Sequence, residues 1–408
     1  MNSEPTFDLL LKGGRVIDPA NGLDGPADVA LKDGRIARVG PDIDPGLAAS
    51  VVDVTGLIVT PGLIDIHMHA YYTRETGRIS VMPDFHSFRS GVTTVVDTGS
   101  AGAAHFAHFK ETVIDVVKTR VLAFVNIVRQ GMVGAFEQDI SEMDAELAAS
   151  VVLANPDICV GIKTAHYWVQ RPVDDAHPIW AAVDRSIEAG ELCGKPVMFD
   201  FWPRTERPYE ALLLGKMRPG DIHTHVYAQQ FPLLDARNRP NAFLAEARKR
   251  GIIFDVGHGS ASFWYRQAIP AIEHGFGPDS ISTDLHTGNV NGPVFDMQTT
   301  MSKFLNIGMP LQEVIYRSTV TPAREIGRPD LGTLSVGAEA DVAVLSLQEG
   351  ARRFVDCGKA TIAGTRALEC RLTVRAGEIV YNPHGMALPD WKDAGQDYRT
   401  IRLAASTP

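Results

Sequence analysis

The stretch Val59-Thr60-Pro61-Gly62-Leu63-Ile64-Asp65-Ile66-His67-Met68-His69 marks where the chain changes rhythm. Before it, short apolar runs alternate with turns. After it, apolar strands alternate with amphipathic helical segments. In a strand, residues i and i+2 share a face, so His67 and His69 present two imidazoles to one side of the strand end. Two neutral imidazoles side by side suit a divalent ion such as zinc. The pair alone also fits two histidines that hold no metal.

Downstream of Pro61, strand candidates fall at 62–67, 93–97, 121–127, 160–163, 196–201, 221–226, 252–256 and 280–283. Amphipathic stretches lie between them at 106–119, 139–154, 179–189, 242–250 and 266–274. Eight strands with helices between them predict a (β/α)8 barrel of the TIM type. A doubly wound open sheet would offer a Gly-rich phosphate loop after the first strand, and none stands there. Upstream, Phe7–Lys12, Arg15–Pro19, Ala27–Leu31, Ile36–Val39 and Val51–Val59 read as strands. The Asp33-Gly34 step between two of them is a hairpin signal. Strand chemistry returns at 340–347, 368–376 and 379–381, after helical stretches at 311–319 and from Thr321. The late strands are expected to pair with the early ones. The fold class is thus α/β: a TIM-like barrel (61–325) and a small β-sandwich drawn from both chain ends (1–60 and 326–383), followed by a tail (384–408).

The 408 residues suit a barrel with an appended domain. The net charge of −10, with no run of Lys or Arg, gives no electrostatic reason to bind nucleic acid. Cys159, Cys193, Cys357 and Cys370 are widely spaced and read as reduced thiols in a cytoplasmic protein. No signal-peptide pattern opens the chain, and no run of about 18 apolar residues predicts a membrane span. The expected partner is a small molecule, and self-association is left open.

Other residues at strand ends carry chemistry. Lys163 closes Val160-Gly161-Ile162-Lys163. It could react with carbon dioxide to give a metal-bridging carbamate, or snorkel to solvent or a carboxylate. Asp284 ends the last barrel strand and could bind metal and accept a proton, or cap the next turn. His223 and His225 repeat the His-x-His pattern, and same-face geometry aims both inward. His258 and His286 follow the last two strands.

At this point the residues resemble the amidohydrolase superfamily, in its amidohydrolase/deacetylase metallohydrolase branch, with dihydroorotases as more distant relatives. Val59–His69 is similar to the opening motif. Leu331-Gly332-Thr333-Leu334 through Gly337-Ala338-Glu339-Ala340-Asp341-Val342 is similar to the C-terminal signature. Ser282-Thr283-Asp284-Leu285-His286 and Thr299-Thr300-Met301-Ser302-Lys303 resemble the deacetylase branch. The resemblance implies two zinc ions. His67 and His69 would hold the more buried one, carboxylated Lys163 would bridge both, and His225 would serve as sixth-strand ligand. Asp284 would be metal ligand and general base, then acid, for a zinc-activated hydroxide. One departure stands out: Asp200 replaces the histidine that the superfamily places after the fifth strand. Three readings stand: Asp200 as an oxygen ligand, His223 turned to the second metal, or a single metal.

The implied reaction is hydrolysis of an amide or ester on a small molecule, by deacylation or cyclic-amide opening. Expected substrate contacts are Tyr71, Tyr72, His166, Tyr167, Trp202, Arg204, His258 and His286, with Arg204 or Arg129 gripping a carboxylate. The alternatives are a non-catalytic barrel homologue acting through protein contacts, and a lyase or isomerase on the same metal site.

Overall fold

A computed structural model describes residues 5–73, 79–133, 136–395 and 398. Among the described residues there are fifteen strands: β1 (Phe7–Asp18), β2 (Leu23–Lys32), β3 (Arg35–Gly40), β4 (Ala48–Asp53), β5 (Ile58–Pro61), β6 (Leu63–Met68), β7 (Val92–Gly102), β8 (Arg120–Asn126), β9 (Cys159–Lys163), β10 (Val197–Phe199), β11 (Ile222–His223), β12 (Ile253–Phe254), β13 (Val342–Val355), β14 (Thr361–Arg375) and β15 (Glu378–Tyr381). They form two sheets. One is parallel, ordered β12-β11-β10-β9-β8-β7-β6. The other has eight strands, ordered β15-β14-β13-β5-β1-β2-β3, with β4 also paired to β1.

The parallel sheet curls. Its strands alternate with helices at Ala145–Ala154, Ala181–Cys193, Ala242–Lys249 and Tyr265–Glu273, as the amphipathic stretches predict. Ile64, Ile66, Val96, Leu122, Phe124, Val160, Met198 and Ile222 form one apolar cluster, closed at one end by Ala323, Ile326 and Leu331. The expected strand at 280–283 is not a ladder strand. It makes isolated parallel bridges, Asp255 to Ser280 and Met68 to Leu285, and so lies between β12 and β6. The reason is local. The Thr283 N–H turns to the Asp65 carboxylate instead of a backbone carbonyl, while the Ser280 and Ser282 carbonyls still accept from Val256 and His258 N–H, so the pairing is interrupted rather than absent.

The second sheet joins the two chain ends. β13 pairs antiparallel to β5, with Val342 opposite Pro61 and Leu345 opposite Ile58. The runs on either side of Gly13-Gly14 form one strand, β1, with an irregular register between Leu11 and Gly14. Gly13 there has φ +82, which a glycine tolerates. The helix expected at 106–119 is shorter: Phe106–Phe109 is α-helical and Lys110–Ile114 is π-helical. The β-branched Thr112, Val113 and Ile114 give up helix propensity there. All four cysteines are free, and three are buried. Among the described residues no helix is long and apolar enough to cross a membrane. The expected tail lies partly outside the described residues.

Candidate metal centre

The centre lies where β6, β9, β10 and β11 end, against residues 280–286. An extra residue in β6 between Asp65 and Met68 shifts its register against β7. Such bulges re-aim side chains. His67 Nε2 stands 3.5 Å and His69 Nε2 3.2 Å from Asp284 Oδ1. The rings of His67 and His225 are 4.9 Å apart. Ligand atoms of His67, His225 and Asp284 lie within 4.8 Å of one another, and all three residues are buried. Beside them, Lys163 Nζ is 3.4 Å and His225 Nε2 3.5 Å from Asp200 Oδ2. Gly99 makes room for this lysine, since a Cβ there would stand 2.9 Å from Lys163 Cβ.

The far ring nitrogens are tied from behind. His225 Nδ1 donates to the Gly257 carbonyl at 2.7 Å, since a carbonyl can only accept. His67 Nδ1 meets Thr224 Oγ1 at 2.8 Å, and Thr224 gives its one proton to Asp255 Oδ2 at 2.8 Å. Oγ1 must then accept from His67 Nδ1, which leaves the His67 Nε2 lone pair facing Asp284. His69 Nδ1 bonds Ser100 Oγ at 2.8 Å. Ring nitrogens fixed by carbonyl, hydroxyl and carboxylate partners are the usual setting of metal-ligating histidines.

The charges point the same way. Burial pushes His67 down to about 4, so its ring is neutral. Burial also raises Asp284, but the facing His67 and His69 outweigh it and hold the carboxyl below its ordinary range. Burial opposes charge on His225, yet Asp200 prevails and lifts it to about 9. Asp200 is held well below its usual range: burial acts against this, and Lys163 and His166 overcome it. The lone pair of neutral His67, the carboxylates of Asp284 and Asp200 and the cation-favouring position of His225 thus face a space that wants positive charge. The donor set, imidazole nitrogen with carboxylate oxygen, fits zinc.

A cavity of about 350 Å³ opens over these groups, lined also by Met132, His166, Trp202, Gln229, Ser260 and His286. His286 and Ser260 bond at 3.1 Å, and Gly288 N–H donates to His286 Nδ1. Other expected contacts stand elsewhere. His258 is fully buried behind the wall and bonded to Lys303. Tyr167 is buried and packs on Trp168. Arg204 spends its guanidinium on the carbonyls of Trp168, Val169 and Arg171 and on Glu206. Arg129 pairs with Glu142, Tyr71 hydroxyl bonds His108, and the exposed Tyr72 is not among the cavity-lining residues.

His223 is a correction. It is fully buried among Tyr209, Phe231 and Phe254, away from the cluster. Burial pushes it to about 3, so it is neutral. The ladder stops at His223, and His225 has φ +65, so alternation fails between the two. The sequence reading also missed Asp65, Asp97 and Asp255. Asp97 accepts from Ala70 N–H at 2.7 Å and Ser100 N–H at 2.8 Å, fixing the chain around His69. Each is a lone carboxylate within an apolar strand segment, and a buried charge of that kind requires partners.

A family model described as "Amidohydrolase family" matches residues 294–381. The chain is 30% identical to a deacetylase of Enterococcus faecalis, over 92% of this chain and all of that protein. It is 33% identical to a deacetylase of Brucella anthropi, over 88% of each. The chain belongs to the amidohydrolase superfamily. Two of the crystal structures that share its fold are similar to it over nearly the whole chain. One, of an adenine deaminase, has TM-score 0.83 and 29% identity, over 92% of this chain and 100% of that one. The other, of a dihydroorotase, has TM-score 0.79 and 28% identity, over 92% and 99%. Amidohydrolases typically bind metal, and in this chain His67, His225 and Asp284 form a buried cluster that could hold an ion.

Proposed function

We propose that the protein hydrolyses an amide or ester bond of a small molecule, by deacylation or cyclic-amide opening, at a zinc centre held by His67, His69, Lys163, His225 and Asp284. The observation that carries this reading is the convergence of Nε2 atoms on Asp284, with each far nitrogen tied from behind. In the finer fold reading, residues 280–285 close the curled sheet into a (β/α)8 barrel spanning 61–325. Residues 1–60 and 326–383 make the β-sandwich.

A zinc ion held by these residues would supply an activated water and a Lewis acid for the scissile carbonyl. Asp284, ionised and open to the cavity, takes the proton of the attacking water and returns it to the leaving group. Lys163, as its neutral amine, can add carbon dioxide with loss of one proton and become an anionic ligand. Asp200 would then be an oxygen ligand of the second ion, or a hydrogen-bond partner of one of that ion's ligands, in place of the superfamily's histidine. His166, Trp202, His286 and Ser260 line the path a substrate must take.

The test is a screen of N-acyl amino acids, acylated hydroxy acids and cyclic imides against zinc-loaded protein, with metal analysis alongside. We expect two zinc ions per chain in the presence of bicarbonate. One zinc per chain, unchanged by added zinc or bicarbonate, would remove the binuclear reading. Asp284→Asn with metal retained is expected to lower kcat by about 10²–10⁴. Full activity in that variant would remove Asp284 as the base.

A further inference from the structure

The Thr299–Lys303 motif has no part in the chemistry above. Lys303 lies on the helix Met297–Asn306 and is fully buried. Its Nζ stands 2.6 Å from His258 Nε2 and 2.8 Å from the Pro293 carbonyl. No carboxylate forms an ion pair with it among the described residues, and burial pushes it down to about 7. A buried lysine without a counter-ion is costly, so its presence here calls for a reason.

His258 supplies one. Its Nδ1 faces the Gly259 carbonyl at 3.0 Å and so carries the proton, which leaves Nε2 to accept from Lys303. Its ring stacks on Phe263, with centroids 4.7 Å apart. On either side of it the backbone touches the metal centre. The Gly257 carbonyl receives His225 Nδ1. A Cβ at Gly259 would lie 2.4 Å from Asp284 Oδ2. Both glycines have positive φ, +44 and +56, so neither has a side chain to fix its path. His258 carries the only side chain of the three, and Lys303 holds it.

We propose that Lys303 is a positioning residue for the metal centre: through His258 it fixes the Gly257–Gly259 backbone, and through the Gly257 carbonyl it orients the His225 imidazole. This rests on His225 being a metal ligand. Side chains that orient ligands from behind commonly change metal affinity by about 10–100-fold.

The experiment replaces Lys303→Met, an apolar side chain of similar length. Zinc affinity is measured by chelator competition, the visible spectrum is taken on cobalt-loaded protein, and thermal midpoints are recorded. We expect zinc affinity to fall by about 10–100-fold and the cobalt bands to shift. The midpoint should not fall in proportion, because an unpaired buried charge has been removed. In a His225→Ala background, Lys303→Met should change zinc affinity no further. His258→Phe keeps the stacking but lacks Nε2. It should reproduce the loss, and it serves as the test if Lys303→Met does not fold. Wild-type zinc affinity and an unchanged cobalt spectrum in the variants would overturn the positioning role alone. A wild-type protein that binds neither ion would overturn the metal reading, and this role with it.

Discussion

Thr224 has one hydroxyl proton, and Asp255, a carboxylate that can only accept, takes it at 2.8 Å. That fixes the proton on His67 Nδ1 and frees Nε2 for a metal. Thr224→Val keeps the shape and removes the hydroxyl, so His67 loses the bond that sets its tautomer. Zinc affinity is expected to drop about 10–100-fold, measured by chelator competition. Unaltered affinity would show that His67 needs no such partner. Lys303 makes a pH prediction at the same scale. Its folded value, about 7, lies below its ordinary 10.5. Between those values the unfolded chain binds more protons, so this residue makes stability rise with pH from about 7 toward 10. Below that window the cost of the buried charge is fully present. Midpoints of wild type and Lys303→Met, followed from pH 6 to 10, should show the wild type gaining on the variant. Parallel curves would mean that Lys303 does not titrate there.

At the scale of elements, strand ends do the positioning, and they were the hardest part to read. Strand periodicity placed His67, His69, Lys163 and Asp284 at the ends that line the cavity. It failed at His223 and His225, because β11 is only two residues long and His225 takes φ +65. Side-chain alternation presumes a continuing ladder, and composition does not reveal where the ladder stops. The residues behind the ligands were illegible for a related reason: Thr224, Ser100 and Gly257 are common residue types whose role comes from contacts across strands. Gly99 on β7 is another. It has φ +80 and leaves space for Lys163. Gly99→Ala is expected to cost about 1 kcal/mol or more in stability, from the strained φ. It should also lower bicarbonate-dependent zinc uptake, since Lys163 must move. Denaturant midpoints and metal analysis check both parts. A fully stable variant with wild-type metal content would refute the close approach.

At the scale of the molecule, one strand serves two cores. On β13, Val342 and Val344 belong to the cluster that includes Leu9, Val16 and Val29 of the mixed sheet. Ala343 and Leu345 belong to the cluster that also holds Phe106, Phe109 and the helices around the parallel sheet. Period-two alternation therefore ties both layers to the same backbone. Other contacts reinforce the tie. Arg120 of β8 pairs with Asp341 at 2.7 Å. At the turn between β13 and β14, Asp356 accepts from Tyr265 N–H at 3.0 Å, at the start of the helix Tyr265–Glu273. The cores should therefore melt together. Val344→Ala and Leu345→Ala each remove buried methyl groups, but from opposite faces. We expect each to cost about 1–4 kcal/mol and to shift a single transition, with far-ultraviolet circular dichroism and tryptophan fluorescence coincident. Independent layers would give a different result. Val344→Ala would then split off an early transition that leaves the parallel sheet intact, and the single-unit reading of the molecule would be wrong.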